Sequence, residues 1–213
     1  MNYVILAAAA AAAIAVLLLV KYVKSRRARG MAAVAAGAAV SLEEFGPAVA
    51  LLEGTGLPFF VDGRAAIGRF LLEFPQEDGA KAYYFDYSCL FGSGQGQRRK
   101  QCTVALFDFE KSALPDFHLS AGAESLGEDT GLEPADMAAF RGFPEGARLY
   151  GRDQEALKKY FTPELAACFA EHPGWSAQGA GRWLVMYKEC KLMPPGEYKG
   201  FIAEASRLAF NLA

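Results

Sequence analysis

Cys168 and His172 are the residues whose types and spacing come closest to a reactive site. They are four positions apart, so on a helix they share one face, as a thiolate–imidazole pair or two metal ligands do. Two ligands do not complete a zinc site, and the only other histidine is His118. Leu165 and Phe169 fall on the same side of that helix, which favours a buried thiol instead. We therefore predict no catalytic and no metal-binding residue.

A glycine-rich run, residues 92–97 (GSGQGQ), lacks the spacing of a phosphate-binding loop. A dinucleotide site needs G-x-G-x-x-G at the start of a helix, and a Walker A loop needs a following Gly-Lys-Ser/Thr. Strand-like sequences flank the run, so we predict a hairpin tip and no cofactor. The basic residues beside it are either a solvated strand end or a contact for a protein or a lipid headgroup. This candidate interaction surface consists of Ser93, Gln95, Gln97, Arg98, Arg99 and Lys100.

The distribution of charge argues against nucleic acid as a partner. Residues 1–29 carry five bases and no acid, whereas residues 30–213 carry 17 bases and 24 acids, a net charge of −7. A domain this acidic lacks the basic surface that holds a phosphate backbone. The acids concentrated in residues 112–140 lack the spacing of an EF-hand loop, so no calcium site is expected there. Neither a G-x-S-x-G nor an H-E-x-x-H motif occurs.

Residues 1–29 are predicted to be a transmembrane anchor with a basic flank. Tyr3–Val20 is a run of 18 residues without a charged side chain, Gly or Pro, and as a helix it spans about 27 Å, close to the hydrocarbon core of a bilayer. A cleavable signal peptide has its bases before the apolar run, and a buried soluble helix shows a polar face, so both alternatives are disfavoured. The bases that follow the run form a membrane-flanking set of Lys21, Lys24, Arg26, Arg27 and Arg29.

These flanking bases also predict the topology. Lysine and arginine beside a span favour the cytoplasmic side. We expect a bacterial inner-membrane protein with its N-terminus outside and residues 30–213 in the cytoplasm, so that the lipid bilayer is its first partner. The four cysteines agree with a reducing compartment, because they lack the spacing of a disulfide framework or a zinc site. Whether Cys89 and Cys102 are adjacent depends on the register of their hairpin.

Beyond the anchor, the sequence predicts a helical connector and then an antiparallel sheet. The connector covers residues 30–64, and its first part continues the anchor helix. Strand-like patterns follow at Ile67–Phe74, Lys81–Phe91 and Arg98–Phe109, separated by turn sequences, which predicts a meander.

The C-terminal third predicts helices and a second hairpin. Residues 112–140 ahead of it are expected to be mostly loop, with a short strand at Phe117–Ser120. After Pro194-Pro195, apolar residues recur at steps of three and four, which predicts a helix that packs across the sheet. Strands and helices do not alternate in the first half, so the fold class is α+β with one antiparallel-sheet domain, residues 65–213. The other predicted elements are a helix through Tyr160 capped by Asp153, a helix from Pro163 to about Glu171 capped by Thr162, and strands at Trp175–Ala180 and Arg182–Glu189.

Phe85-Asp86-Tyr87, Gly92-Ser93-Gly94 and Thr103-Val104-Ala105-Leu106 stand within the predicted meander. This FDY…GSG…TVAL set resembles a loose group of uncharacterised bacterial membrane-anchored α+β proteins, and the similarity extends over about residues 65–213. The resemblance implies an anchor followed by this β-hairpin domain. Because the group has no assigned activity, it implies no active-site residue.

The sequence thus favours a single-pass membrane protein that presents a cytoplasmic binding or assembly module. Its expected partners are the bilayer and a protein, either a different chain or a second copy of this one. Two alternatives stay open. One is a hydrolase-like enzyme at the membrane surface, which requires groups such as Asp86, Cys168 and His172 to converge in one pocket. The other is an accessory subunit of a membrane complex.

Overall fold

The computed structural model describes residues 2–43, 48–61, 64–76, 79–91, 98–122, 131–188 and 191–212. In these residues the fold is α+β, and nine strands form one sheet whose neighbouring strands are antiparallel. The strands are β1 Leu42–Glu43, β2 Arg64–Pro75, β3 Lys81–Phe91, β4 Arg98–Asp108, β5 Leu114–Ser120, β6 Glu133–Pro134, β7 Arg148–Gly151, β8 Trp175–Gly181 and β9 Trp183–Lys188. The helices are α1 Asn2–Ala38, α2 Ala48–Gly54, α3 Pro58–Val61, α4 Gln154–Tyr160, α5 Pro163–Glu171 and α6 Tyr198–Leu212.

The sheet has the strand order β1-β2-β3-β4-β9-β8-β5-β7-β6. The predicted meander is confirmed as β2–β3–β4, and β3 pairs with β4 along its whole length. In that register Cys102 lies opposite Tyr87 and Cys89 lies opposite Lys100, so the two cysteines do not face each other directly. The predicted hairpin tip, residues 92–97, lies outside the described residues.

Within residues 112–140, the predicted short strand at Phe117–Ser120 is confirmed, and it begins earlier than predicted. Leu114–Ser120 forms β5, which lies inside the sheet between β8 and β7. Phe117 and Leu119 belong to the main core, and His118 between them is buried as well. A strand buried on both sides usually reads as a continuous apolar run. Because polar residues alternate along this strand, its full length and its burial on both faces were not predicted.

Helices cover both faces of the sheet. The front face carries the main core, which takes in the second half of α1 together with α4, α5 and α6. The back face is covered by α2 and α3, where Phe59 and Phe60 pack on Tyr87 at ring distances of 5.4 and 5.3 Å. The backbone N–H of Phe59 also donates to Oε1 of Gln178 at 2.8 Å. The sheet is therefore the middle layer, with α1, α4, α5 and α6 on its front face and α2 and α3 on its back face.

The predicted helices are confirmed together with their caps. Asp153 Oδ1 accepts the backbone N–H groups of Glu155 and Ala156 at 3.0 Å, which satisfies two donors left free at the start of α4. Thr162 caps α5, with Pro163 in its first turn. α6 has the predicted apolar face, and this face packs on the sheet. Its residues are Tyr198, Phe201, Ala205, Leu208, Ala209 and Leu212, all buried, and the half-buried Ile202.

α1 changes its surroundings along its length. Residues 12–26 are exposed, whereas Met31 and Ala35 are buried in the main core. Part of the predicted connector thus belongs to the domain, since residues 30–38 complete α1 and β1 pairs with β2. In the part of the chain that the structure describes, no helix combines the length and the hydropathy needed to cross a bilayer, and the predicted transmembrane span is not confirmed.

His118 is a buried histidine in the interior of the sheet. Its ring stacks on Tyr150 of β7 with the ring centres 5.9 Å apart, and neither ring nitrogen has a hydrogen-bond partner among the described residues. Burial disfavours the charged imidazolium and lowers the pKa of His118 from 6.5 to about 4. Between these two pH values the unfolded chain binds a proton at His118 that the folded chain does not bind.

Acidification is therefore expected to destabilise the fold through His118, progressively as the pH falls from 6.5 to about 4. Above that range the contribution is constant, and at pH 5 the loss amounts to about 2 kcal/mol. Urea unfolding of the full chain in mild detergent, at about pH 7.5 and about pH 5, measures it against His118→Phe. The variant should lose this part of the pH dependence. An equal pH dependence in both proteins would contradict the assignment.

Candidate functional site

A buried ion pair fastens α1 to the front face of the sheet. Arg27 Nε donates to Asp86 Oδ2 at 2.6 Å and Arg27 Nη2 donates to Asp86 Oδ1 at 2.7 Å, so the guanidinium and the carboxylate meet through two parallel bonds. The Asp86 side chain is 7% exposed and the Arg27 side chain 19%. Water reaches neither charge well, and each therefore depends on the other as its counter-ion.

Thr103 and the segment before α6 complete this network. Thr103 lies opposite Asp86 on β4, donates from Oγ1 to Asp86 Oδ1 at 3.1 Å and accepts from the backbone N–H of Met193 at 2.8 Å. The carbonyl of Met193 accepts from Arg27 Nη1 at 2.9 Å. The network therefore joins α1, β3, β4 and the chain that leads into α6, four parts that are distant in the sequence.

Tyr198 lies near the pair and makes its surroundings less polar. The residue is fully buried, and its hydroxyl has no hydrogen-bond partner among the described residues. Burial, and then the negative charge of Asp86, raise the pKa of Tyr198 well above its ordinary value. The Tyr198 phenol therefore stays neutral and adds no charge next to the pair. Arg27 is the counter-ion of Asp86.

Gly30 allows α1 to approach the turn that precedes α6. A Cβ atom at position 30 would lie 2.7 Å from both Cβ and Cγ of Pro195, which is too close for any side chain. On the following turns Met31 and Ala35 enter the main core. α1 is thus held by an ion pair at Arg27, by close backbone approach at Gly30 and by apolar packing beyond it.

A cleft, here termed the junction cleft, opens where α1 leaves the sheet. Its outer part, of about 560 Å³, lies between α1 and β2, and its inner part, of about 250 Å³, continues over β3 and β4. Both parts are lined by Lys24, Arg27, Arg69 and Phe70. The outer part is further lined by Leu17, Val20, Lys21, Ser25 and Ala28, and the inner part by Val23, Asp86, Tyr87, Ser88, Arg99, Gln101 and Leu192.

The junction cleft is basic although the domain is acidic. Of the acids in the described chain, Asp86 lines it, and Arg27 already neutralises this carboxylate. Lys24, Arg69 and Arg99 form no ion pair with any acidic residue in the described part of the chain. The register gives one reason, because Arg69 lies opposite Asp86 in the sheet while that carboxylate binds Arg27 of α1. The carboxylate opposite Arg69 in the sheet is therefore already paired with Arg27.

Phe70 has a strained backbone at the same place. Its φ of 59° lies in the left-handed region, which a bulky residue seldom adopts. The pairing of β2 with β3 shifts register between Arg69 and Leu72, as at a β-bulge. Phe70 consequently lines both parts of the junction cleft while it also packs against the main core. Strain of this kind costs about 1–3 kcal/mol and is concentrated at functional sites.

The structure describes three of the six residues of the predicted interaction surface. Arg99 is exposed and lines the inner part of the cleft, and Lys100 is half-buried. Arg98 begins β4 opposite Phe91. The other three residues, at the hairpin tip, lie outside the described residues: Ser93, Gln95 and Gln97.

The predicted membrane-flanking bases have different surroundings in the structure. Arg27 forms the buried ion pair and is not available to lipid headgroups, contrary to its predicted role. Lys21 and Lys24 are exposed and line the junction cleft, whereas Arg26 and Arg29 are exposed elsewhere on α1. Three of the five bases, Lys21, Lys24 and Arg27, therefore line the candidate site.

The groups of the enzymatic alternative have separate surroundings. Asp86 bonds to Arg27 and Thr103 on the sheet. Cys168 packs against the main core from α5, and His172 is the residue that ends that helix. Among the described residues, no group of three His, Cys, Asp or Glu side chains is arranged to hold a metal ion. The junction cleft is therefore the stronger candidate for a functional site.

Comparison with known proteins shows the fold and no family. No protein-family model and no curated protein matches the sequence. A similar solved structure is the crystal structure of the mycobacterial trehalose monomycolate transport factor A, TtfA. The two chains are 10% identical and superpose with a TM-score of 0.59, over 86% of this chain and 90% of that chain. At this identity the likeness shows a shared fold.

The sequence patterns missed most residues of this site. Arg69 and Phe70 stand inside a predicted strand, where nothing in the sequence marks the bulge. Asp86 offered the one available signal, because an aspartate within an aromatic strand (YYFDYS) needs a partner if that strand is buried. The partner, Arg27, is 59 positions away in the chain, and the pattern did not identify it.

Removing one member of the ion pair is expected to destabilise the protein. Asp86→Ala leaves a buried guanidinium without a counter-ion and should lower the free energy of unfolding by about 3–5 kcal/mol. Combining it with Arg27→Met removes both charges, so the double variant should be more stable than Asp86→Ala alone. Chemical unfolding of the full chain in mild detergent measures the single and double variants. Strictly additive losses would show that the two residues do not interact.

Gly30 and Gly37 form a matched pair for testing how α1 is seated. Alanine favours a helix by about 1 kcal/mol over glycine, and nothing lies within 4 Å of a Cβ at Gly37, so Gly37→Ala should stabilise the protein. Gly30→Ala must displace Pro195 and should instead cost roughly 1–3 kcal/mol. Thermal unfolding of the two variants compares them. If both substitutions stabilise equally, α1 does not pack closely on Pro195.

Proposed function

We propose that this protein is a membrane-attached accessory factor of transport, which presents its α+β domain as a binding module on the cytoplasmic face of a bacterial inner membrane. The observation that carries the proposal is the continuity of α1, a single helix that is apolar in its first half, exposed over residues 12–26 and packed into the domain beyond them. A domain held in this way keeps a fixed orientation relative to the exposed part of α1. We include in the proposal its membership of the bacterial group that shares the FDY…GSG…TVAL set.

The exposed half of α1 supports attachment to a bilayer. Ile14, Leu17, Leu18 and Leu19 are between 57% and 69% exposed. Burying a side chain of this kind is worth about 1.5–3 kcal/mol, so a row of them in water is unfavourable. Inserting Tyr3–Val20 into hydrocarbon provides that burial and leaves the following bases at the cytoplasmic headgroups.

The likeness to TtfA supports an accessory role in transport. The name of that protein describes a factor in the transport of trehalose monomycolate, and the shared fold extends over 86% of this chain. The polar groups of the enzymatic alternative have separate surroundings, which favours a domain that acts by binding. Lipid, and a protein partner or a second copy of this chain, are the partners that such a factor requires.

Two charges placed in the apolar half of α1 test the attachment. Ala12→Arg combined with Ile14→Arg should release the full chain from the membrane fraction, because each arginine within a span costs roughly 2.5–3.5 kcal/mol. Carbonate extraction followed by sedimentation measures the release. Phe210→Arg, at an exposed position of α6, places one such charge outside α1 and should leave the protein in the membrane.

Three results would count against the proposal. Complete extraction of the wild-type chain by carbonate would contradict membrane attachment. Activity of an alkaline phosphatase fused after Ala213 would contradict the cytoplasmic position. Turnover of a substrate by the purified full chain, in broad hydrolase and transferase screens, would favour the enzymatic alternative.

A further inference from the structure

We infer that the junction cleft binds an anionic phospholipid, whose phosphate is held by Lys24, Arg69 and Arg99. One acyl chain of the lipid lies along Leu17 and Val20 in the outer part of the cleft. The inference rests on the proposed membrane attachment, because that attachment puts the cleft at the level of the headgroups. It extends the proposal by assigning lipid recognition to residues of the sheet.

The three cations come from different elements and all line the inner part of the cleft. Arg69 and Arg99 stand on β2 and β4, the strands on either side of β3, and Lys24 reaches the same space from α1. None of them forms an ion pair with an acid in the described residues. Two guanidinium groups offer paired N–H donors to phosphate oxygens, and an ammonium adds a third charge. This donor set matches a phosphate.

The two parts of the junction cleft differ in polarity: the inner part is polar, like the headgroup of an amphiphile, and the outer part is apolar, like its chain. The inner part contains Arg99 and Gln101, whereas the outer part contains Leu17 and Val20 on the exposed apolar half of α1. A free phosphate uses the inner part and leaves the apolar part in water. The outer part alone, of about 560 Å³, lies within the range of ligand pockets, roughly 300–1,000 Å³. A lipid fills both parts and a free anion does not.

Phe70 stands at the boundary between the two parts. Its φ of 59° is a conformation that glycine adopts at little cost. A phenylalanine ring therefore stands at a backbone position that would suit a smaller residue. The ring lines both parts and is only half-buried. In this position it contacts the lipid where the phosphate meets the chains.

Thermal unfolding of the full chain in a neutral detergent tests the inference. A ligand that binds the folded state and not the unfolded one raises the melting temperature, and the rise grows with the logarithm of its concentration above the dissociation constant. Phosphatidylglycerol should raise it in this concentration-dependent way, whereas phosphatidylcholine and glycerol 3-phosphate should not. The first comparison reports the charge of the headgroup, and the second distinguishes a lipid from a free phosphate.

Paired variants locate the binding. Arg69→Gln with Arg99→Gln should weaken phosphatidylglycerol binding roughly 30-fold, since each cation near a headgroup contributes about a fivefold change. Arg148→Gln with Arg207→Gln removes the same charge at exposed positions outside the cleft and should leave binding unchanged. Phe70→Gly should keep the fold and weaken binding about tenfold.

Several results would overturn the inference. These are equal stabilisation by phosphatidylcholine, equal stabilisation by glycerol 3-phosphate, unchanged binding in the variant of Arg69 and Arg99, and an equal loss in the control pair. The test is independent of membrane insertion because it is made in detergent. A wild-type chain that carbonate extracts but that binds phosphatidylglycerol contradicts the proposed attachment alone. A chain that stays in the membrane without preferring this lipid contradicts the inference alone.

Discussion

The ion pair between Arg27 and Asp86 decides how α1 lies on the sheet, and most other features of the molecule depend on that position. Taking either charge out of water costs several kcal/mol, which is offset by the partner charge and by the bonds of Thr103 and Met193. Apolar contacts farther along α1 are less directional, whereas a guanidinium and a carboxylate joined by two bonds fit one geometry. The direction in which the exposed half of α1 leaves the domain is therefore fixed mainly by this pair, with Gly30 permitting the approach.

The same pair also creates the candidate site. Asp86 stands on β3, opposite Arg69 of β2 in the register of the sheet. Because Arg27 binds both carboxylate oxygens, Arg69 faces the junction cleft without an ion pair in the described residues. Docking of the helix and the positive charge of the cleft are thus two results of one interaction.

The elements of this fold were predictable where local signals agree, and the site was not. β3, α5 and α6 follow from β propensity, a Thr162 cap and a helical apolar period, all of which act within a few residues. The pattern predicted Phe117–Ser120 of β5 but not its first residues, because Pro115 and Asp116 interrupt the apolar pattern there. The cleft depends on the register that sets Arg69 opposite Asp86, on the bulge at Phe70 and on a partner for Asp86 in α1. Such long-range contacts leave no local trace in the sequence.

An acidic domain that is held rigidly at an anionic membrane needs a basic surface on the side that faces the membrane. Residues 30–213 carry a net charge of −7, and an anionic membrane surface repels such a domain within about one Debye length, roughly 8 Å. A domain on a flexible linker can move beyond this distance, but a domain locked to its helix by Arg27 cannot. Under the proposed attachment, the surface beside α1 must therefore carry the opposite sign. Lys21, Lys24 and Arg69 line the cleft at that place, so a headgroup bound there converts the repulsion into a contact.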